Sequence, residues 1–93
     1  MNRIKIFSFV GEFAEDKDKA RDIRVGHIIP LLEAGKDPVL DFDDVGSITQ
    51  SFAHALLSDL IRNYGIDILD RISFANCNET VQKIVGIVTD YMQ

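Results

Sequence analysis

Hydrophobic and polar positions along the chain divide it into strand-like segments that alternate with helix-like segments. Three short apolar runs, rich in β-branched and aromatic residues, are each followed by a segment in which apolar positions recur with the period of a helix. Because strands that alternate with helices build parallel βαβ units, this pattern predicts an α/β fold. The predicted strands cover residues 4–10, 38–42 and 71–75. The chain should therefore form a βαβαβα domain of two or three layers with a mostly parallel sheet.

The strand order follows from the handedness of the connections. Crossovers between parallel strands are right-handed in nearly all proteins. We expect them to place the first strand in the middle of the sheet, so that it pairs with both later strands.

The first helix is predicted to run from Asp16 to a C-terminal cap at Gly35. Pro30 lies inside it and removes a backbone donor opposite the carbonyl of Gly26, so we expect a kinked helix rather than two separate helices. The apolar positions with helical spacing are Val25, Ile28, Ile29 and Leu32.

The second helix shows the clearest periodicity. It is predicted to begin between Ser47 and Ser51 and to end at Tyr64 and Gly65. Its apolar face consists of Phe52, Leu56, Leu57, Leu60, Ile61 and Tyr64. A narrow polar stripe on the opposite side consists of Ser51, His54, Ser58 and Arg62.

The last helix is predicted to begin after an asparagine cap, either Asn76 or Asn78. Its buried stripe, by helical spacing, consists of Val81, Ile84, Val85, Val88 and Tyr91.

Composition narrows the class of protein. A chain of 93 residues with 46% hydrophobic and 27% charged residues is expected to form one domain, residues 1–93, with one core. The single cysteine, Cys77, excludes an intramolecular disulfide. The net charge of −5, with the basic residues not gathered in sequence, argues against nucleic acid and anionic membranes as partners. No apolar run is long enough to span a bilayer, and we expect a cytoplasmic protein.

Catalytic and cofactor motifs are absent from the sequence. It contains no glycine-rich phosphate loop, no dinucleotide fingerprint and no nucleophile elbow. The spacings of His27, His54 and Cys77 match no familiar metal or haem site. The acidic strand end of Asp41, Asp43 and Asp44 contains ligands suited to a divalent cation, but such acids also cap turns and helices, which we favour. We therefore expect no enzyme activity, metal or cofactor.

One stretch of the chain resembles a known family. Residues 40–42 (Leu-Asp-Phe), 49–52 (Thr-Gln-Ser-Phe) and 54–56 (His-Ala-Leu) are similar to the middle of a bacterial STAS-like domain family of unknown function. STAS domains are named for sulphate transporters and anti-sigma factor antagonists. The resemblance extends to Phe74, Asn76, Cys77, Asn78, Thr80, Val81, Asp90, Tyr91 and Met92. It implies a STAS-like fold and a regulatory role in binding another protein.

The chain departs from the STAS pattern at the usual phosphorylation site. In anti-sigma factor antagonists a serine follows the motif aspartate, whereas here Thr49 stands at the aspartate and Gln50 at the serine. Ser51 and Thr49 are thus the candidate phosphoacceptors, since a phosphate suits a helix N-terminus. The same residues also suit helix capping, either through a box formed by Ser47 and Gln50 or through Thr49 or Ser51.

The favoured hypothesis is a non-catalytic interaction module of STAS type. Its candidate partner-binding residues are Asp44, Gln50, Ser51, His54, Ser58 and Arg62. The resemblance suggests a kinase-type ATPase or an anti-sigma-like factor as the protein partner. Two alternatives remain. One is a sensor of a small ligand or nucleotide with a pocket beside Asp41 and Asn76. The other is a subunit of a homodimer, since the sheet has exposed edges and Ile87 lies at the margin of the last helix's apolar stripe.

Overall fold

Three parallel strands form the main sheet of the computed structural model, which describes residues 2–92. Strand β1 (Arg3–Lys5) pairs with β3 (Val39–Asp41), and β3 pairs with β5 (Ser73–Ala75), so that the order is β1-β3-β5. The predicted order, with β1 in the middle, is wrong. The edge position of β1 agrees with its exposed Arg3 and Lys5, because charged residues discourage edge strands from pairing with other chains.

The first apolar run divides into a strand and a helical turn. Strand β1 ends at Lys5, and helix α1 (Phe7–Val10) follows, whereas a strand was predicted throughout residues 4–10. Ile6 is fully buried, and Phe9 and Val10 pack partly against the core. Their spacing of three and four residues is helical, which explains why this segment turns instead of extending.

The predicted kinked helix is present as a continuous helical segment with one wide turn. It consists of α2 (Lys17–Ile23), a π-helical turn (Arg24–Ile28) and α3 (Ile29–Glu33). Gly35 has a positive φ of 75° and closes the segment as predicted. Within the wide turn, Val25 is 53% exposed although its spacing places it with the apolar positions of the helix, whereas Ile28 is fully buried.

A second, two-stranded sheet pairs β2 (Phe13–Ala14) with β4 (Ser47–Ile48) in parallel. Helix α4 (Gln50–Tyr64) begins directly after β4, within the predicted range, and ends at Gly65 as predicted. A 3-10 helix (Ile66–Arg71) leads from there to β5.

Helix α5 (Glu79–Met92) packs against α4 and completes the core. The Val81 backbone N–H donates to Asn78 Oδ1 at 2.8 Å, so Asn78 is the cap. Val81 and Val88 are buried as predicted, but Tyr91 is 84% exposed, and its predicted burial is wrong. The core combines the inner faces of these elements, and its largest fully buried side chains are Ile6, Ile23, Ile28, Leu40, Phe42, Phe52, Leu56, Leu57, Leu60 and Val81.

Candidate functional site

The start of α4 is held in place by main-chain bonds to the first part of the chain. The Gly46 N–H donates to the carbonyl of Glu12 at 2.7 Å, and the Thr49 N–H donates to the carbonyl of Ala14 at 3.0 Å. These bonds extend the β2–β4 pairing up to the helix. The first turn of α4 therefore has a defined position relative to α2, which follows β2 closely in sequence.

Thr49 caps helix α4. Its Oγ1 accepts a hydrogen bond from the Phe52 N–H at 3.0 Å, and its backbone is extended. The predicted capping box of Ser47 and Gln50 is wrong, because Ser47 belongs to β4. Ser51 is exposed in the first turn. Of the two candidate phosphoacceptors, Thr49 thus has a structural role, whereas Ser51 presents its side chain to solvent.

A groove of about 330 Å³ lies between the first half of α4 and the second half of α5. It contains Gln50, Ser51 and His54, three of the residues predicted for partner binding. Two apolar side chains on α5 border it with large exposed fractions, Ile87 at 41% and Tyr91 at 84%. The full lining is Lys17, Gln50, Ser51, His54, Ala55, Ile87, Val88 and Tyr91.

Sequence reasoning singled out Ile87 for self-association but did not bring Lys17 and Tyr91 together with the start of α4. Lys17 belongs to a run of alternating charges, which is typical of a solvated helix face, and Tyr91 falls in the predicted buried stripe of the last helix. The four-residue spacing of Ile87 and Tyr91 was the available signal, because it places two large apolar side chains on one side of α5.

The rest of the predicted polar stripe continues along α4 away from the groove. Ser58 is partly buried, and Arg62 is exposed. Arg62 Nη1 lies 3.1 Å from Asp59 Oδ1, and Arg24 Nη2 lies 3.1 Å from Asp59 Oδ2. Arg24 also donates to the carbonyl of Ala55. The π-helical turn is thereby joined to the middle of α4.

Asp41 lies buried at the carboxyl end of β3, where three groups donate to it. Its Oδ2 is 2.9 Å from Arg3 Nη1, and its Oδ1 accepts from Asn76 Nδ2 at 2.9 Å and from the Asp43 N–H at 3.0 Å. The Asn76 amide, followed by the Asp43 N–H, holds the pKa of Asp41 below its ordinary value, against the opposing effect of burial. Asp41 therefore links β1, through the side chain of its first residue, to the carboxyl ends of β3 and β5.

Asp44 lies in a different place from the other predicted partner-binding residues. It has a φ of 68° in the turn after β3 and is exposed. It lines a shallow cleft of about 450 Å³ at the carboxyl ends of β3 and β5, together with Phe42, Asp43, Val45, Gly46, Asn76, Cys77 and Asn78. Within residues 2–92, the structure shows no cluster of three histidine, cysteine or acidic side chains that could hold a metal ion.

Cys77 lies beside this cleft and is partly buried. Burial, followed by the nearby charge of Asp41, raises the pKa of its thiol. Since the thiolate is the nucleophilic form, this environment makes Cys77 less reactive than a free thiol.

A family model described as "STAS-like domain of unknown function (DUF4325)" matches residues 19–82. This match covers more than half of the chain, from α2 through the first turn of α5. The chain belongs to this STAS-like family. The match includes Gln50, Ser51 and His54 of the groove, whereas Lys17, Ile87 and Tyr91 of the groove lie outside it.

The other comparisons add no relative to the STAS-like domain. Neither a curated protein nor a solved structure matches it significantly. In the part of the domain that the structure describes, no helix has the length and hydrophobicity needed to cross a membrane.

Proposed function

We propose that this STAS-like domain is a non-catalytic regulatory module that binds a partner protein through the groove between α4 and α5. The observation that supports it is the pair Ile87 and Tyr91, two exposed apolar side chains beside the polar start of α4. Apolar side chains surrounded by polar groups are typical of protein-binding surfaces. Of the described residues that line the groove, none supplies a carboxylate or thiol that could form a catalytic pair with His54.

Removing the apolar side of the groove should abolish partner capture. We expect that Ile87→Ser combined with Tyr91→Ser lowers recovery of the partner from host extract about tenfold or more, because aromatic residues often dominate binding energy. The measurement is quantitative mass spectrometry of proteins cross-linked to the tagged domain. The matched control is Val25→Ser combined with Phe13→Ser, which removes an aliphatic and an aromatic side chain that are about half exposed, at 53% and 49%, outside the groove. Equal recovery with both double variants would contradict the proposal.

Regulation by phosphorylation would act on Ser51. Ser51 lines the groove, whereas the Thr49 hydroxyl is bound within the helix cap. We expect phosphate on Ser51 and none on Thr49 in protein isolated from its own host. Peptide mapping by mass spectrometry, with a Ser51→Ala variant as the control, makes the assignment. Phosphate on Thr49, or on neither residue under every growth condition tested, would contradict this form of regulation.

The cleft at the strand ends supports a second candidate function, the sensing of a small ligand. Open α/β sheets bind ligands beyond the carboxyl ends of their strands, and this cleft presents the polar side chains of Asp43, Asp44 and Asn78 there. A thermal-shift screen against nucleotides and metabolites tests the candidate. A stabilising compound whose effect is lost in Asp44→Ala would support it, and no stabilisation by any compound would exclude it.

A further inference from the structure

The groove lies beside a basic stripe on an otherwise acidic chain. Lys17, Arg21 and Arg24 are spaced four and three residues apart, so they follow one side of the helical segment that starts with α2. Lys17 borders the groove, and Arg24 contacts α4 through the Ala55 carbonyl. The basic side of α2 therefore runs along α4. In sequence these basic residues alternate with Asp18 and Asp22, which lie further round the helix.

Asp59, which lies on α4 beside this stripe, is neutralised. Asp59 bonds to two guanidinium groups, those of Arg24 and Arg62, so the three residues together carry a net positive charge. Among residues 2–92, those that line the groove include Lys17 and no carboxylate. The whole chain carries a net charge of −5, so the charge of this stripe is opposite in sign to that of the chain.

The shape of the groove favours a helix as its occupant. It lies between two packed helices, and Ile87 and Tyr91 stand one turn apart on α5. An amphipathic helix binds such a groove with apolar side chains at matching intervals of one turn. Nucleic acid fits less well, because exposed apolar side chains form one wall and the chain as a whole repels phosphates.

We propose that the groove binds an amphipathic helical segment of the partner, with apolar side chains against Ile87 and Tyr91 and an acidic flank along α2. This inference rests on the proposed function and names the chemistry of the partner. It also gives Ser51 a physical role. A phosphate on Ser51 would repel the acidic segment of the partner and would compete with it for Lys17.

The test uses peptides, so that it does not depend on identifying the natural partner. A phage-displayed library of random peptides is selected on the immobilised full chain, with counter-selection on the variant carrying Ile87→Ser and Tyr91→Ser. We expect the enriched peptides to combine apolar residues at helical spacing with an excess of aspartate and glutamate. Peptides enriched in lysine and arginine, or without any charge preference, would overturn the acidic partner and leave the proposed function intact.

Charge reversal on α2 provides the matched comparison. Lys17→Glu should weaken binding of the enriched peptide about tenfold, because it places like charges face to face. Lys19→Glu makes the same change two residues away, on a different side of the helix, and should alter the dissociation constant less than about twofold. Ser51→Glu should weaken binding as Lys17→Glu does. Equal effects of Lys17→Glu and Lys19→Glu would overturn the proposed orientation.

Other occupants of the groove give distinct results. If sedimentation shows a dimer that Tyr91→Ser dissociates, a second copy occupies the groove and the inference fails. If a single-stranded oligonucleotide displaces the peptide at lower concentration than an acidic peptide does, it also fails. If no peptide is enriched over the double variant, the groove is not a binding site and the proposed function itself fails.

Discussion

Replacing Asp41 with alanine is expected to lower the free energy of unfolding at neutral pH by about 2 to 4 kcal/mol. The substitution removes the acceptor for Asn76, Arg3 and the Asp43 N–H at once. Asn76 has a positive φ of 57° and loses the bond that holds it in that conformation. Urea denaturation measures the change. The control, Asp43→Ala, removes an exposed carboxylate from the same turn and should cost less than about 1 kcal/mol.

The same carboxylate should make stability depend on acid pH. The pKa of Asp41 is lower in the folded state than its ordinary value of 3.8, so its contribution is complete above that value. As pH falls from there through the lower pKa of the folded state, Asp41 gains a proton and the contribution is lost. Asp41→Asn should therefore show a shallower loss of stability below pH 3.8 than the wild type does. Parallel acid profiles for the two proteins would show that Asp41 does not carry this dependence.

The sequence predicted the helices better than the sheet, and for a physical reason. Burial of one helix face leaves a regular spacing in the sequence, and α4 began and ended where that spacing indicated. Strand order leaves no comparable pattern, because right-handed crossovers are compatible with new strands on either side of β1. The better signal was charge, since Arg3 and Lys5 flank the single buried residue of β1, Ile4, and mark an edge strand.

Short elements escaped prediction because they carry too few residues for a period to show. The strands β2 and β4 have two residues each, and their pairing depends on main-chain bonds that no side-chain pattern records. The wide π-helical turn before Pro30 is also too short for its period to show in the sequence. An irregularity was predictable from the donor that Pro30 lacks, but the position of the π-helical turn, Arg24–Ile28, was not.

The candidate site was predictable only where one helix supplies it. Gln50, Ser51 and His54 lie in consecutive turns of α4, so helical spacing brought them together. Lys17 and Tyr91 come from distant parts of the chain and meet α4 through tertiary packing. Helical spacing correctly placed Tyr91 near Val88 on α5. It could not predict that Tyr91 is exposed, since that depends on whether another part of the chain packs over it.

Replacing Phe52 with alanine is expected to destabilise the protein by about 3 to 5 kcal/mol, the largest effect of any substitution proposed here. Phe52 is fully buried in the first turn of α4, and its N–H is the donor to the Thr49 cap. The cavity would remove contacts with the core and loosen the turn that carries Gln50 and Ser51. The control is Phe13→Ala, the same change at a side chain that is 49% exposed, which should cost about 1 kcal/mol or less.

The Phe52→Ala variant also tests whether the order of the first turn of α4 is needed for binding in the groove. If the groove binds its partner through α4 and α5 together, the folded fraction of Phe52→Ala should bind the enriched peptide more weakly, because the start of α4 is less ordered. Hydrogen exchange should show faster exchange of the amide of Ala53, which donates to the Thr49 carbonyl, than in the wild type. If the variant is less stable but the Ala53 amide exchanges at the wild-type rate, Phe52 stabilises the core without ordering the first turn of α4.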